Sequence, residues 1–262
     1  MDVRQVPMVD VAALIAFPND VEVDAALRAK DGDPRKIVEE IGAAANEWGF
    51  FYIANHGLSE QEMAKFQKAM RSFFDLPRTS SWISEEALPG FHNEMTTYFN
   101  KMEYIARRLL KVFAVALGEE PTFFDQFFHD ENSSHMRLNH YPATEDPEKT
   151  MGVYHHTDAG ALTILLQDDD VASLQAFHRP SQTWANLHNQ HRRHGAAPFF
   201  YNPSYKAQVE PIVMKPGDVA NYRQLSWGEF RLRRYQGNVT DKGKEIQIGD
   251  FKVRGPIDVA NS

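Results

Sequence analysis

The first half of the chain places apolar residues at the spacing of three and four that is typical of helices. Three stretches show this period, at residues 33–48, 59–76 and 93–117. Asp33, followed by a proline, offers a cap for the first stretch. Ser59 and Glu62 match a capping box for the second, and Gly118 ends the third. The pattern therefore predicts three helices in this half of the chain.

From His135 onward the chain changes to short apolar or alternating runs separated by Pro, Gly, Asn and Asp, which is typical of antiparallel sheets. A last helix is predicted over 226–235. The fold class is therefore expected to be mainly β with flanking helices. We expect residues 1–120 to form a helix and strand region that packs on the core of 121–262, the two making one structural unit. The predicted strands are 6–10, 49–54, 136–141, 162–167, 174–177, 197–201 and 208–213.

Composition excludes several classes of function. The 262 residues include 28 basic and 36 acidic side chains, a net charge of −8, which argues against a nucleic-acid partner. The chain has no cysteine, so disulfides and thiolate chemistry are excluded, and a metal would be held by imidazole and carboxylate groups. The first 14 residues lack a basic stretch and an apolar run, and no apolar segment approaches bilayer length. We therefore expect a soluble, cytoplasmic protein without a membrane partner.

The triplet His156-Thr157-Asp158 directly precedes the apolar stretch predicted as strand 162–167. In extended chain, residues two apart point to the same side, so the imidazole of His156 and the carboxylate of Asp158 can bind one ion. His155 would point to the opposite side and is interpreted as a bystander. Such a triplet on its own also fits a surface or hydrogen-bonding role.

The triplet belongs to a set of six segments that follow one another along the chain, at residues 6–10, 48–57, 73–77, 137–142, 156–163 and 198–205. In this order they resemble the isopenicillin N synthase-like family of iron(II)- and 2-oxoglutarate-dependent oxygenases. The resemblance covers most of the chain, since the segments run from the N-terminus into the last third.

The resemblance implies a double-stranded β-helix, or jelly-roll, core whose mouth holds iron(II) through two histidines and one carboxylate. It also implies that 2-oxoglutarate chelates the iron, that O2 binds at an open position, and that an arginine binds the far carboxylate of 2-oxoglutarate. By this resemblance His156 and Asp158 are metal ligands, and His188 is the third, with His191 as its rival.

The cosubstrate residues are assigned by the same resemblance. Asn139 and Tyr141 match an Asn-x-Tyr motif that positions 2-oxoglutarate, and Arg193, with Arg192 behind it, matches the arginine. The sequence departs from the family here, because Gly195 stands where the motif has serine and one extra residue precedes the next motif. A slip of one residue turns side chains to the other face of a strand, so Arg193 reaches the pocket only if a bulge absorbs the insertion.

The chain is also short in two places. A jelly roll needs about four strands between the triplet and the second histidine, which amounts to roughly 30 residues, and the segment around 184–193 is too short to hold them. The segment around 79–82 is similarly short. Either loops of the protein are absent from this sequence or the protein lacks these pieces.

The leading hypothesis is an enzyme, a non-haem iron dioxygenase that hydroxylates, desaturates or cyclises a small organic substrate and releases succinate and CO2. A second hypothesis keeps the iron but takes all electrons from the substrate, without 2-oxoglutarate. A third is a non-catalytic relative that acts as a binding module. We expect a monomer, and the substrate itself depends on loops whose sequence does not identify it.

Overall fold

The computed structural model describes residues 6–77, 83–128, 131–141, 152–167, 174–187, 195–215, 217–238 and 246–254. The chain divides into two compact units. Unit 1 comprises residues 1–121, 136–143 and 164–199, and unit 2 comprises residues 122–135, 144–163 and 200–262. Each unit is thus built from several stretches that are separate in sequence.

Among its described residues, unit 1 contains five helices, with the bounds α1 Ala12–Ile15, α2 Asp20–Arg28, α3 Asp33–Glu47, α4 Glu60–Phe74 and α5 Phe91–Ala116. They pack mainly on the long helix α5. The three helices predicted from periodicity are confirmed as α3, α4 and α5, and the two shorter helices α1 and α2 precede them. Apolar side chains of α3 and α5 are buried at the expected spacing, and the rings of Phe66 and Tyr98 stack 3.8 Å apart between α4 and α5.

The start of α4 shows a local signal that sets an element boundary. The Glu62 backbone N–H donates to the Ser59 hydroxyl (3.2 Å), and the Ser59 N–H donates to the Glu62 carboxylate (2.8 Å), which confirms the capping box. A hydrogen bond from Lys101, together with those from Ser59, lowers the pKa of Glu62 to about 2.

The predicted start of α3 was wrong by one residue. Asp33 was predicted as the cap of this helix, but Gly32 is the cap and Asp33 is the first helical residue.

A buried arginine ties α1 to α5. Arg108 is fully buried, and its guanidinium donates to the carbonyl oxygens of Leu14 (2.6 Å), Ile15 (3.2 Å) and Phe17 (2.7 Å). The last carbonyls of a helix have no partner within it, so the guanidinium satisfies groups at and just beyond the end of α1 that would otherwise be buried unpaired. It also lies 4.1 Å above the ring of Tyr104.

The strands form small sheets, and their bounds are β1 Met8–Asp10, β2 Tyr52–Ala54, β3 His135–Met136, β4 Asn139–His140, β5 Leu162–Gln167, β6 Leu174–His178, β7 Thr183–Leu187 and β8 Gly195–Tyr201. Strands β1 and β2 form a parallel pair, and β6 and β7 form an antiparallel hairpin. Strand β8 pairs with β3, β4 and β5 in a four-stranded sheet. Strand β7 was not predicted, and the predicted strand 136–141 is divided into β3 and β4.

Unit 2 has its core around the last helix. Strands β9 (Gln208–Val209) and β10 (Leu225–Ser226) are antiparallel, and β10 leads into α6 (Trp227–Asn238). The strand predicted at 208–213 corresponds to β9, which ends at Val209 and is therefore much shorter than expected. Trp227 and Phe230 are buried, as expected for core residues. They form a cluster with Ala207 and Phe251, against which Phe127 and Ala159 pack. Among the described residues, no helix is both long and apolar enough to cross a membrane.

Replacing Arg108 with alanine is expected to lower the free energy of unfolding by about 3 kcal/mol, because it opens a cavity and leaves buried carbonyl groups without their donor. Arg107 is a matched control, since it is half-exposed and pairs with Asp20 at 3.0 Å. Arg107→Ala is expected to change the unfolding free energy by less than about 1 kcal/mol. Equilibrium urea denaturation followed by circular dichroism measures both. Equal losses for the two variants would contradict the structural role of Arg108.

Candidate metal centre

His156 and Asp158 lie in unit 2, in an irregular segment that leads into β5. Their side chains approach each other, with the Nε2 atom of His156 3.4 Å from the Oδ1 atom of Asp158. Both are accessible, with 58% and 37% of the side-chain surface exposed. The structure therefore brings the two together although neither belongs to a strand, and it leaves room for a ligand beside them.

The hydrogen bond on the other side of the His156 ring decides what Nε2 can do. The Nδ1 atom lies 2.8 Å from the carbonyl oxygen of Tyr154. A carbonyl only accepts, so Nδ1 carries the proton, and in the neutral ring Nε2 presents its lone pair. The Nε2 atom lies 3.4 Å from a carboxylate oxygen of Asp158. Two electron-rich atoms that face each other favour a shared cation, and imidazole with carboxylate is a donor set that suits iron(II).

Asp158 is followed by two residues that are held in unit 2. Ala159 packs against the cluster of Trp227 and Phe230. Gly160 lies against the side chain of Asn202, such that a Cβ atom added to Gly160 would be 2.4 Å from the Oδ1 atom of Asn202. Sequence reasoning assigned no role to Asn202, although it lies in the segment 198–205 that resembles the family, which is a signal that could have found it.

Asn139 and Tyr141 belong to unit 1 and are half-buried. Asn139 lies in β4, opposite Ala196 of β8, so β8 sets its position through backbone pairing. The ring of His140, between them, stacks on Phe74 with centroids 5.1 Å apart. The remaining predicted site residues, His188, His191, Arg192 and Arg193, lie outside the described residues.

Within the ranges that the structure describes, no group of three histidine or carboxylate side chains is arranged to hold a metal. His156 and Asp158 are thus two candidate donors, and a metal site built on them would require at least one more. His155 lies against the ring of Tyr154, with centroids 3.9 Å apart. As the adjacent histidine, which the sequence analysis interprets as a bystander, it is a suitable control for His156.

His178, which sequence reasoning left unassigned, has a structural environment in unit 1. Its ring is buried and lies 4.2 Å from that of Trp48. Its Nδ1 atom lies 2.7 Å from the hydroxyl of Ser181 and 3.4 Å from the Ser181 backbone nitrogen. Since the backbone N–H donates, Nδ1 accepts, and this histidine stabilises the turn between β6 and β7.

Two family models match the chain. Residues 6–81 match the model described as non-haem dioxygenase in morphine synthesis N-terminal, and residues 132–205 match the 2OG-Fe(II) oxygenase superfamily. The second match includes His156, Asp158, Gly160 and Asn202. Both donors of the pair therefore lie within the part of the chain that carries the family signature.

Curated relatives have similar sequences. Oxoglutarate-dependent flavonoid 7-O-demethylase 1 of Ocimum basilicum is 27% identical over 65% of this chain and 54% of its own length. Naringenin,2-oxoglutarate 3-dioxygenase of Matthiola incana is 25% identical over 86% of this chain and 69% of its own. The chain thus spans only half to two thirds of these relatives. The second alignment runs over 274 positions, more than the 262 residues of this chain, so the relative has segments that this chain lacks.

Solved structures share the fold. A full-length Neurospora crassa protein, solved in complex with alpha-KG and 5-formyluracil, superposes with a TM-score of 0.71 at 17% identity, covering 87% of this chain and 95% of that one. JOX2, in complex with 2OG, Fe and JA, also gives a TM-score of 0.71 at 17% identity, covering 97% of this chain and 90% of that one. At this level of identity the likeness concerns the fold alone.

His156→Ala and Asp158→Asn are each expected to weaken iron(II) binding at least about 100-fold, because removal of a ligand costs more than removal of a group that supports one. His155→Ala is expected to leave the affinity unchanged. Anaerobic calorimetric titration with iron(II) measures all three, with circular dichroism as the check on folding. Wild-type affinity in the Asp158→Asn protein would show that the carboxylate is not a ligand.

Proposed function

Because the chain belongs to the superfamily of 2-oxoglutarate- and iron(II)-dependent oxygenases, we propose that it oxidises a small organic molecule and converts 2-oxoglutarate and O2 to succinate and CO2. Members of this superfamily are enzymes that use iron(II), 2-oxoglutarate and O2. The observation that carries the proposal for this chain is the pairing of the His156 Nε2 atom with the Asp158 carboxylate at 3.4 Å. It supplies the donor types that this chemistry requires.

We further propose that residues 121–262 form the jelly-roll core of the oxygenase, on which the helices and strands of 1–120 pack. The antiparallel pairing of β4 with β8 and of β6 with β7 supports this arrangement, as do the solved structures of similar fold. A jelly roll closes two sheets over one interior, and its mouth is a usual place for a metal and a small ligand.

The roles of the residues follow from their chemistry. His156 and Asp158, with a second histidine, hold the metal, and His188 takes this role ahead of His191. Iron, when bound, supplies the oxygen chemistry that no amino-acid side chain can perform. The chain's own contribution is to orient the donors. The Nδ1–H of His156 donates to the carbonyl oxygen of Tyr154, which leaves Nε2 to bind the metal.

The cosubstrate is held by charge and hydrogen bonds. Arg193 would hold the far carboxylate of 2-oxoglutarate, a task for which its planar, permanently charged guanidinium is suited because it can donate two parallel hydrogen bonds. Asn139 and Tyr141 would position the rest of the molecule. The relatives named above act on or bind chemically different molecules, so the substrate of this chain is not carried over from any of them.

The choice between the two histidines is tested by His188→Ala and His191→Ala. Loss of His188 is expected to abolish succinate formation from 2-oxoglutarate, since it removes a metal ligand, whereas His191→Ala is expected to retain it. Succinate is measured after incubation with iron(II), ascorbate and O2, with excess iron to test for weakened binding. If both variants retain activity, neither histidine is the third ligand. If the wild-type protein binds iron but forms no succinate, this proposal fails, and either the oxidase that takes all electrons from its substrate or the binding module replaces it.

Arg193→Met is expected to raise the KM for 2-oxoglutarate at least tenfold, because a charge-assisted pair of hydrogen bonds contributes about 1.5–3 kcal/mol. Arg192→Met removes the same charge one residue away and is the matched control, with an expected change below about twofold. Initial rates of 2-oxoglutarate decarboxylation measure both. A larger rise in the KM for 2-oxoglutarate in Arg192→Met than in Arg193→Met would show that Arg192 binds the cosubstrate instead.

A further inference from the structure

We propose that Asn202 is a positioning residue for the carboxylate of Asp158 and acts through Gly160. The inference rests on the proposed function, in which Asp158 is a metal ligand, and it adds a residue that makes no contact with the metal. All the groups involved lie in unit 2.

Asn202 is fixed in place. It is 1% exposed, its backbone N–H donates to the Ser134 hydroxyl (3.0 Å), and its carbonyl lies 3.4 Å from the same hydroxyl. On the side chain, the Nδ2 atom lies 3.4 Å from the Nδ1 atom of His135. The next residue, Pro203, accepts hydrogen bonds from both the backbone N–H and the hydroxyl of Ser133. A side chain so short and so anchored has little freedom to move away.

The other end of the Asn202 side chain meets Gly160. A Cβ atom on Gly160 would lie 2.4 Å from Oδ1 and 3.5 Å from Cγ of Asn202, and the first of these separations is one that real Cβ atoms do not show. Gly160 does not adopt a left-handed conformation, so glycine is required here for space alone. The hydrogen that takes the place of Cβ lies close to Oδ1, where a weak Cα–H···O contact can form.

The Oδ1 atom is otherwise buried without a conventional hydrogen bond among the described residues. An unsatisfied buried oxygen is unfavourable by about 1–3 kcal/mol, so a protein tends to retain one only where the group has another use. Here the Oδ1 atom of Asn202 contacts Gly160 and limits how far the backbone of Gly160 can move toward it.

The position of Gly160 affects that of Asp158 because only one residue separates them in the chain. That residue, Ala159, packs on the cluster of Trp227 and Phe230, so the chain is held at both positions that follow Asp158. Asp158 itself is exposed, and the contacts of Ala159 and Gly160 hold its backbone in position. A displacement of Gly160 would therefore change the 3.4 Å separation between the carboxylate and His156, which sets the space for a shared ion.

The experiment is a double-mutant cycle read out as iron(II) affinity. Gly160→Ala introduces the clash and is expected to weaken iron binding at least about tenfold, and Asn202→Ala removes the contact with Gly160, with a loss of about tenfold. In the double variant the Oδ1 atom that the added Cβ would clash with is absent. The iron(II) affinity of the double variant should therefore equal that of Asn202→Ala alone. Losses that simply multiply in the double variant would overturn the proposal.

Two controls separate positioning from general loss of stability. Gly228→Ala places a Cβ 2.6 Å from the carbonyl oxygen of Tyr205, so it should lower the free energy of unfolding, and Asn202→Ala should not rescue it. Ser204→Ala removes a polar group that is as buried as Asn202 and should leave iron affinity unchanged. Loss of affinity in Ser204→Ala as large as in Asn202→Ala would show that any change in this segment has the same effect.

A spectroscopic measurement completes the test. The visible charge-transfer band of the anaerobic iron(II)–2-oxoglutarate complex should shift in Gly160→Ala and return in the double variant. If Gly160→Ala does not fold, Asn202→Ala alone decides, because unaltered iron affinity and an unaltered band would overturn the proposal. The proposed function fails separately, if the wild-type protein binds no iron or if His156→Ala binds it normally.

Discussion

Unit 2 depends on the hydrogen bonding of one segment, residues 201–207. A buried backbone must find partners for its polar groups, and this segment finds them in separate parts of the chain. The Ser204 N–H donates to the Phe127 carbonyl (2.8 Å), and the carbonyls of Tyr205 and Ala207 accept from the first two residues of α6, at 3.1 and 3.0 Å. The stretch before β3 and the last helix are thereby both attached to the same few residues.

The proposed metal pair uses constraints that act on each donor separately. The backbone carbonyl of Tyr154 sets the orientation and tautomer of the His156 ring. The carboxylate of Asp158 takes its position from the packing of Ala159 and Gly160. Neither constraint requires a regular strand at the pair itself, which explains how an exposed, irregular segment can hold two donors 3.4 Å apart. Short-range order is sufficient when each donor has its own support.

Signals that are local in sequence predicted the structure best. The capping box at Ser59 and the apolar run of β5 were predicted at the correct residues, and the same kind of signal at Asn19, whose side chain caps α2, was overlooked. Strand 208–213 was overextended, since pairing ends at Val209. The spacing of His156 and Asp158 predicted that they could approach. The third histidine and the arginine depend on strand register, which tertiary contacts set and a single sequence does not reveal.

The parallel pairing of β1 with β2 has a consequence for the order of folding. Met8 pairs with Tyr52, and α1, α2 and α3 lie between them in the sequence. Closing so long a loop has an entropic cost that must be met before the strands gain anything from pairing. The carbonyls at the end of α1 receive their hydrogen bonds from Arg108 of α5, which lies still farther along the sequence than β2. During synthesis β1 therefore cannot pair, and the carbonyls at the end of α1 cannot find their donor, until residues much farther along the chain have been made.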